Sequence, residues 1–265
     1  MIHVEKMNFS YSKKKTLFEN FDLDIENGGI VGLLGMNGVG KTTLLKLITG
    51  LIFPKSGTIN VLGETPQERL PRFLQDVYFV PDELAMPMMK GEKFVRLYSP
   101  FYPKFDMALF KTLIEEFEVD DTQNIAKMSL GQKKKFIISF ALATKSRLLV
   151  FDEPTNGMDI PSKNIFRKVT ASVLNDDQLI IISTHQVADI NKLIDRVIIL
   201  DKGEVKLNDS TWDISQKYAF VTTDTEEGAL YAEQAPGGYR AVVPANGQQT
   251  EIDLELLFNA RKNLK

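Results

Sequence analysis

Ile30-Val31-Gly32-Leu33-Leu34-Gly35-Met36-Asn37-Gly38-Val39-Gly40-Lys41-Thr42-Thr43-Leu44-Leu45-Lys46-Leu47-Ile48-Thr49-Gly50 decides the fold. The apolar run Ile30–Leu34 predicts a short buried strand, and Thr43–Ile48 predicts a helix that Gly50 ends. Between them, Gly35–Thr42 fits G-x-x-x-x-G-K-[ST], the pattern of a phosphate-binding loop. At such a strand-to-helix turn backbone N–H groups can wrap a polyphosphate, and the helix N-terminus favours negative charge. Asn37, Gly38, Val39, Gly40 and Thr43 belong to that wrapping backbone. Lys41 would reach the β- and γ-phosphates, and the Thr42 hydroxyl would hold Mg²⁺. The loop alone says "nucleotide" and leaves its use open.

Working outward, residues 16 to 26 alternate, with Leu17, Phe21, Leu23 and Ile25 on one face and Asn20, Asp22, Asp24 and Glu26 on the other. That predicts an antiparallel strand with one solvated side. Leu148–Phe151, Leu179–Ile182 and Val197–Leu200 are instead continuous apolar runs bounded by charge, as in central strands buried on both faces. Helical patterns around Ser162–Leu174 and Gln186–Leu193 lie between them. Strands alternating with helices predict an α/β fold with a mostly parallel sheet. Residues 84 to 145 break the rhythm: Phe94, Leu97, Leu109, Phe110, Leu113, Ile114 and Phe117 recur at helical spacing, which predicts an inserted α-helical subdomain. Asp201-Lys202-Gly203 is a turn. From about 208 to 265 the pattern predicts a small α+β extension. Its strands fall at Tyr218–Val221 and Tyr239–Val243, its helices at Gly228–Gln234 and Glu251–Asn259, and Pro236-Gly237-Gly238 forms a loop.

A chain of 265 residues with 43% apolar and 25% charged residues buries an ordinary core. Its net charge of −3 does not favour nucleic acid or anionic lipid, so no nucleic-acid partner is expected. With no cysteine there are no disulfides or thiolate metal sites, a composition compatible with the cytosol. The apolar runs fall well short of the roughly 20 residues that span a bilayer. Glu5, Lys6 and Asn8 interrupt any N-terminal leader. A link to a membrane would therefore run through a partner.

Three further stretches carry chemistry. Leu148-Leu149-Val150-Phe151-Asp152-Glu153 is an apolar strand ending in two carboxylates. Beside a phosphate loop the first can orient Mg²⁺ and the second can polarise an attacking water; a charged strand end is the plain alternative. Met128-Ser129-Leu130-Gly131-Gln132 opens a helix with Ser129 as N-cap, fit to meet an anion or simply a capped helix. Ser183-Thr184-His185 follows a buried strand, and His185 is one of two histidines; a structural or solvated histidine is the alternative there.

Taken together, residues 1 to about 205 resemble the nucleotide-binding domain of ATP-binding cassette (ABC) transporters, a P-loop NTPase fold. Gly35–Thr42 matches Walker A, and Leu149–Asp152 with Glu153 matches Walker B and its catalytic carboxylate. Met128–Gln132 stands for the LSGGQ signature, Gly157-Met158-Asp159 for the D-loop and His185 for the switch histidine. Tyr11 occupies the place of the aromatic that stacks on adenine. The resemblance implies domains at 1–207 and 208–265, and two cassettes dimerising head to tail around ATP and Mg²⁺. Lys41, Thr42 and Asp152 would hold phosphate and Mg²⁺, Glu153 would be the base, and His185 would contact the γ-phosphate. Ser129, Gly131 and Gln132 would serve the ATP of the other subunit, and Asp159 would link the two sites. The second cassette would make a homodimer or a heterodimer. An integral membrane permease subunit would complete a transporter, with the cassette on the cytoplasmic face of the membrane.

The sequence departs from this pattern twice. Leu130 replaces the first signature glycine, a variant similar to the signatures of drug, antibiotic and polysaccharide exporter cassettes. Asp82, in Val80-Pro81-Asp82-Glu83, stands where the family usually has the Q-loop glutamine; a charged Asp there would sense Mg²⁺ and the attacking water. Met86, Met88 and Met89 either face a membrane subunit or pack inside the helical insertion. The clusters Lys13–Lys15 and Lys133–Lys135 are expected to be solvated. The tail resembles exporter-type endings, where an extension would aid dimer contact or regulation. A DNA-repair or ribosomal cassette is the alternative function, and it would carry a long coiled coil or a second cassette. A kinase or switch GTPase would lack the signature helix.

Overall fold

A computed structural model describes residues 1–12, 15–26 and 28–263. The chain opens with β1 (Ile2–Phe9), β2 (Phe18–Ile25), β3 (Gly29–Leu34), α1 (Lys41–Ile48) and β4 (Ser56–Val61). After α2 (Pro71–Gln75) and β5 (Val77–Val80) come three helices with no strand between them, α3 (Gly91–Tyr98), α4 (Met107–Glu116) and α5 (Leu130–Ala143). The α/β rhythm resumes with β6 (Leu148–Asp152), α6 (Ile160–Val173), β7 (Leu179–Thr184), β8 (Arg196–Asp201) and β9 (Glu204–Ser210). The rest is α7 (Thr211–Lys217), β10 (Tyr218–Thr223), β11 (Tyr231–Ala235), β12 (Gly238–Pro244) and α8 (Leu254–Ala260).

The central sheet has the order β5-β6-β7-β3-β8-β9, and every neighbouring pair is parallel except β8 with β9. Its middle strands carry continuous apolar runs because both faces are covered. Ile30 and Leu34 enter the core on the helical side, while Val31 and Leu33 enter the core beneath the antiparallel sheet β2-β1-β4. In β2 the alternation places Phe21, Leu23 and Ile25 inside. Phe18 is the fourth buried residue rather than Leu17. A bulge with Asn20 at φ 45° sets Glu19 and Asn20 of β2 against the single residue Asn8 of β1 and shifts the register.

Residues 84–145 pack on an aromatic cluster centred on Phe140 of α5. Its ring lies 5.0 Å from Phe105, 5.2 Å from Phe94 and 5.6 Å from Tyr78. Phe140 is fully buried. Phe140→Ala is expected to destabilise the protein by about 3–5 kcal/mol, read from the denaturant midpoint at unchanged slope.

Two predicted helices do not form. Gln186–Leu193 winds only one 3-10 turn, Val187–Asp189. Its apolar residues Val187, Ile190 and Leu193 recur every third position, and N–H groups of Asp189, Ile190 and Leu193 each bond three residues back. That spacing suits a 3-10 winding rather than a 3.6-residue repeat. Gly228–Gln234 gives way to strand β11. Pro236-Gly237 closes a hairpin in which Glu233 lies opposite Arg240 and pairs with it at 3.0 Å. Cross-strand pairing overrides the helical leaning of an alanine- and glutamate-bearing segment. β10, β12 and β11 form a separate antiparallel sheet, and α8 packs on the 3-10 turn after His185.

Candidate functional site

Sheet register brings the functional segments together. Leu33 of β3 and Asp152 of β6 both pair with Ser183 of β7. The segments that follow these strands therefore emerge side by side at the carboxyl edge of the sheet, where open α/β sheets bind ligands. They are the phosphate loop, Glu153 and His185.

The loop turns through Gly38 at φ 82° and Gly40 at φ 116°. A Cβ on Gly40 would come within 2.8 Å of the Phe18 ring, so the loop is held against β2. Gly38 opens onto free space. Asn37 is exposed, and the Val39 side chain folds inward. Lys41 is 6% exposed and curls onto its own loop, donating to the carbonyls of Gly35 at 2.7 Å and Met36 at 3.4 Å. Burial lowers its pKa below the ordinary lysine value, an effect partly offset by the Glu153 carboxylate at 3.6 Å.

The Thr42 hydroxyl donates to Asp152 Oδ2 at 2.7 Å, and Ser183 Oγ donates to the other Asp152 oxygen. Glu153 sits at φ 47°, with its N–H on the Ser183 carbonyl at 3.1 Å. Its Oε1 lies 2.8 Å from His185 Nδ1. Its Oε2 is buried without a partner. Tyr11, 67% exposed, bonds Thr43 through its hydroxyl at 3.1 Å. Tyr11, Lys41, Thr42, Thr43 and Glu153 border a cleft of about 450 Å³ that also includes Lys15 and Asp82.

The cleft fits a magnesium nucleotide on its own chemistry. It has a backbone cradle open at Gly38, a buried ammonium inside the loop and an unpartnered carboxylate oxygen. Thr42 and Asp152 are hard oxygen donors suited to Mg²⁺. Among the described residues no cluster of three acidic or histidine side chains is placed to hold a metal alone, so the phosphates would complete the coordination.

The signature residues lie apart from this cleft. Ser129 and Gln132 form a reciprocal capping box at the start of α5: the Gln132 N–H bonds Ser129 Oγ and the Ser129 N–H bonds Gln132 Oε1. Ser129 and Leu130 are exposed, and Leu130 occupies the first helical position, where no positive φ is required. Gly131 packs against the Gly157 carbonyl. Asp159 caps α6 by accepting from the Ser162 N–H at 2.8 Å, and hydrogen bonding from the Ser162 side chain and then its N–H holds the carboxyl below the usual range.

One expectation is corrected. Lys13 and Lys14 lie outside the described residues and Lys15 is exposed, but Lys134 is not solvated; it is 1% exposed. Its Nζ donates to Asp82 Oδ1 at 2.9 Å and to the Glu153 carbonyl at 2.7 Å. Asn156 Nδ2 also donates to Asp82 Oδ1, at 3.3 Å. The sequence carries a signal for this. Lys134 is in helical register with the buried Ile137, Ile138 and Ala141. Ser183 had no such signal, because its contact with Asp152 depends on strand order.

The family model described as ABC transporter matches residues 18–156. The chain belongs to the ABC transporter family. It is 31% identical over 263 residues to the uncharacterized ABC transporter ATP-binding protein MJ1023 of Methanocaldococcus jannaschii, covering 97% of this chain and 95% of that one. It is 28% identical over 253 residues to the Nod factor export ATP-binding protein I of Burkholderia lata, covering 92% and 81%. The ATP-binding cassette MJ0796, solved as a dimer in a post-hydrolysis state with ADP and Pi, superposes with a TM-score of 0.69 at 20% identity, over 79% of this chain and 98% of that one. The cassette is thus an ATP-binding ATPase subunit of the ABC transporter class, on a P-loop NTPase fold.

Proposed function

We propose that this cassette is the motor of an exporter: two copies close head to tail on ATP and drive a separate integral membrane subunit. One observation carries the reading. Lys41, Thr42 and Glu153 line one cleft, with Asp152 bonded to Thr42 and His185 bonded to Glu153, while Ser129, Gly131 and Gln132 stand exposed or half-exposed at the N-terminus of α5, outside it. Each chain therefore holds two halves of different sites, and a second copy suffices to complete both. MJ0796 is itself a dimer, which supports the arrangement, and the Nod factor relative is named for export. Residues 1–207 would form the cassette and 208–265 an extension.

Within this reading, Lys41 leaves the Gly35 and Met36 carbonyls for the terminal phosphates. Tyr11 offers an exposed ring to adenine. Glu153 takes a proton from the attacking water on its free Oε2, and His185 orients the carboxylate through Oε1 and meets the γ-phosphate. Thr42 and Asp152 would hold Mg²⁺, which supplies positive charge against the phosphate oxygens. Ser129, Gly131 and Gln132 would present the N–H groups of α5 to the partner's ATP, and Asp159 would lie between the two sites. Tyr11→Ala is expected to weaken binding of trinitrophenyl-ATP several-fold, by about 1 kcal/mol, with the turnover of bound ATP little changed.

The membrane subunit would dock in an apolar groove of about 810 Å³ between the central sheet and α3. Leu51, Tyr78, Met86, Tyr98 and Phe101 line it, and Phe101 is 65% exposed. Beside it Met88 is 80% exposed, while Met86 and Met89 are only partly covered. The arrangement favours an adaptable contact surface over internal packing for Met88. Phe101→Asp is expected to abolish co-purification of an integral membrane protein while basal ATPase stays within about twofold. Co-purification that persists in the variant would remove the groove from the account.

A further inference from the structure

Lys134 has no place in the mechanism above, yet it is buried against it. A lysine ammonium tolerates 1% exposure only when charge and hydrogen bonds replace water around it. Its acceptors are the Asp82 carboxylate at 2.9 Å and the Glu153 carbonyl at 2.7 Å. We propose that Lys134 is a positioning residue: its ammonium holds the Glu153 backbone in catalytic register and makes that register depend on Asp82. The inference deepens the ATPase reading and rests on it.

Three elements meet at this one nitrogen. Lys134 lies on α5, the helix that Ser129 caps; Asp82 follows β5; Glu153 ends β6. Glu153 has φ 47°, a left-handed conformation that a glutamate keeps only where its surroundings enforce it. Its N–H donates to the Ser183 carbonyl at 3.1 Å and to Ser183 Oγ at 3.3 Å, and its carbonyl accepts from Lys134 at 2.7 Å, the shortest of these bonds, and from the Asn156 N–H at 3.3 Å. Together they aim the carboxylate at His185 and Lys41. The network continues from Asp82 through Asn156 to Gln186, next to His185: Gln186 Nε2 donates to Asn156 Oδ1 at 3.3 Å.

The two charges are interdependent. Without Asp82 the buried ammonium loses its counter-charge, and without Lys134 the carboxylate keeps only the Asn156 amide at 3.3 Å. Asp82 then acts on hydrolysis through Lys134, and the two residues form one unit whose deletions do not multiply.

The test measures steady-state ATPase and, separately, equilibrium binding of trinitrophenyl-ATP. The variants are Lys134→Met, Asp82→Asn and their combination, with Glu153→Gln alongside. Methionine keeps the length of the stem and removes the charge. Lys134→Met is expected to lower kcat by about tenfold or more with nucleotide affinity within about threefold of wild type. The double variant is expected to be no slower than Lys134→Met alone. Full turnover in Lys134→Met, a loss confined to affinity, or multiplying losses in the double variant would each overturn the proposal. Should Lys134→Met fail to fold, Lys134→Arg, which keeps the charge on a wider planar group, is expected to lower kcat at unchanged affinity. Wild-type kcat in Lys134→Arg would overturn it equally. Wild-type turnover in Glu153→Gln would instead sink the ATPase mechanism and leave the bonds of Lys134 without a catalytic meaning.

Discussion

Glu153→Gln is expected to slow ATP hydrolysis by about a hundred- to ten-thousand-fold while leaving nucleotide binding intact. The geometry sets this expectation. Glu153 Oε1 is engaged by His185 at 2.8 Å and faces Lys41 at 3.6 Å, so the side chain has a fixed direction. Oε2 is buried with no partner and is the atom free to accept a proton. Glutamine keeps the size and shape and loses the basicity. The peptide at φ 47° is held by the Ser183, Asn156 and Lys134 bonds to the main chain, which the substitution does not touch. Single-turnover hydrolysis measured beside equilibrium binding separates the two effects. A Gln variant within tenfold of wild type would mean that proton removal does not rest on Glu153.

Lys41→Met is the second large effect, and it falls on binding. Loss of a charged hydrogen-bond donor to phosphate corresponds to about 1.5–3 kcal/mol, roughly a ten- to 150-fold loss of affinity. The Lys41 ammonium is buried, donates to the Gly35 and Met36 carbonyls and faces Glu153 at 3.6 Å, and its pKa is lowered chiefly by desolvation. A base whose folded-state pKa lies below its unfolded value of 10.5 binds fewer protons folded than unfolded between those two values. Its contribution to stability therefore rises with pH across that window. The alkaline rise in stability seen by chemical denaturation should be present in the wild type and absent in Lys41→Met. Bound polyphosphate supplies the missing negative charge and should reduce the rise in the wild type.

The sequence was most informative where chemistry is carried by contiguous residues. Gly35–Thr42 specified the strand, the turn and the helix at once, because each needs its own residues in that order. The buried strands were legible because apolar runs bounded by charge have few other uses. What escaped was long-range. Ser183 meets Asp152 only because β7 lies between β6 and β3, a strand order that no local pattern encodes. Lys134 looked like one of three surface lysines. Its partner Asp82 is 52 residues away, and burial of the lysine beneath that carboxylate is a property of the assembled core. The helix expected at Gly228–Gln234 failed for the same reason, since the hairpin partner β12 decided its conformation. The 3-10 turn at Val187–Asp189 is a different case. The three-residue spacing of Val187, Ile190 and Leu193 is legible in the sequence and distinguishes it from an α-helix.

A composite site needs Ser129–Gln132 of a second copy to complete the cleft at Lys41. Light scattering on the Glu153→Gln variant, with and without saturating Mg·ATP, reads this out. A composite site gives the monomer mass without nucleotide and twice that mass with it. It also predicts that Ser129→Arg, placed at the exposed start of α5 in the same background, returns the protein to a monomer. A monomer under saturating Mg·ATP, or a dimer indifferent to Ser129→Arg, would contradict the composite site.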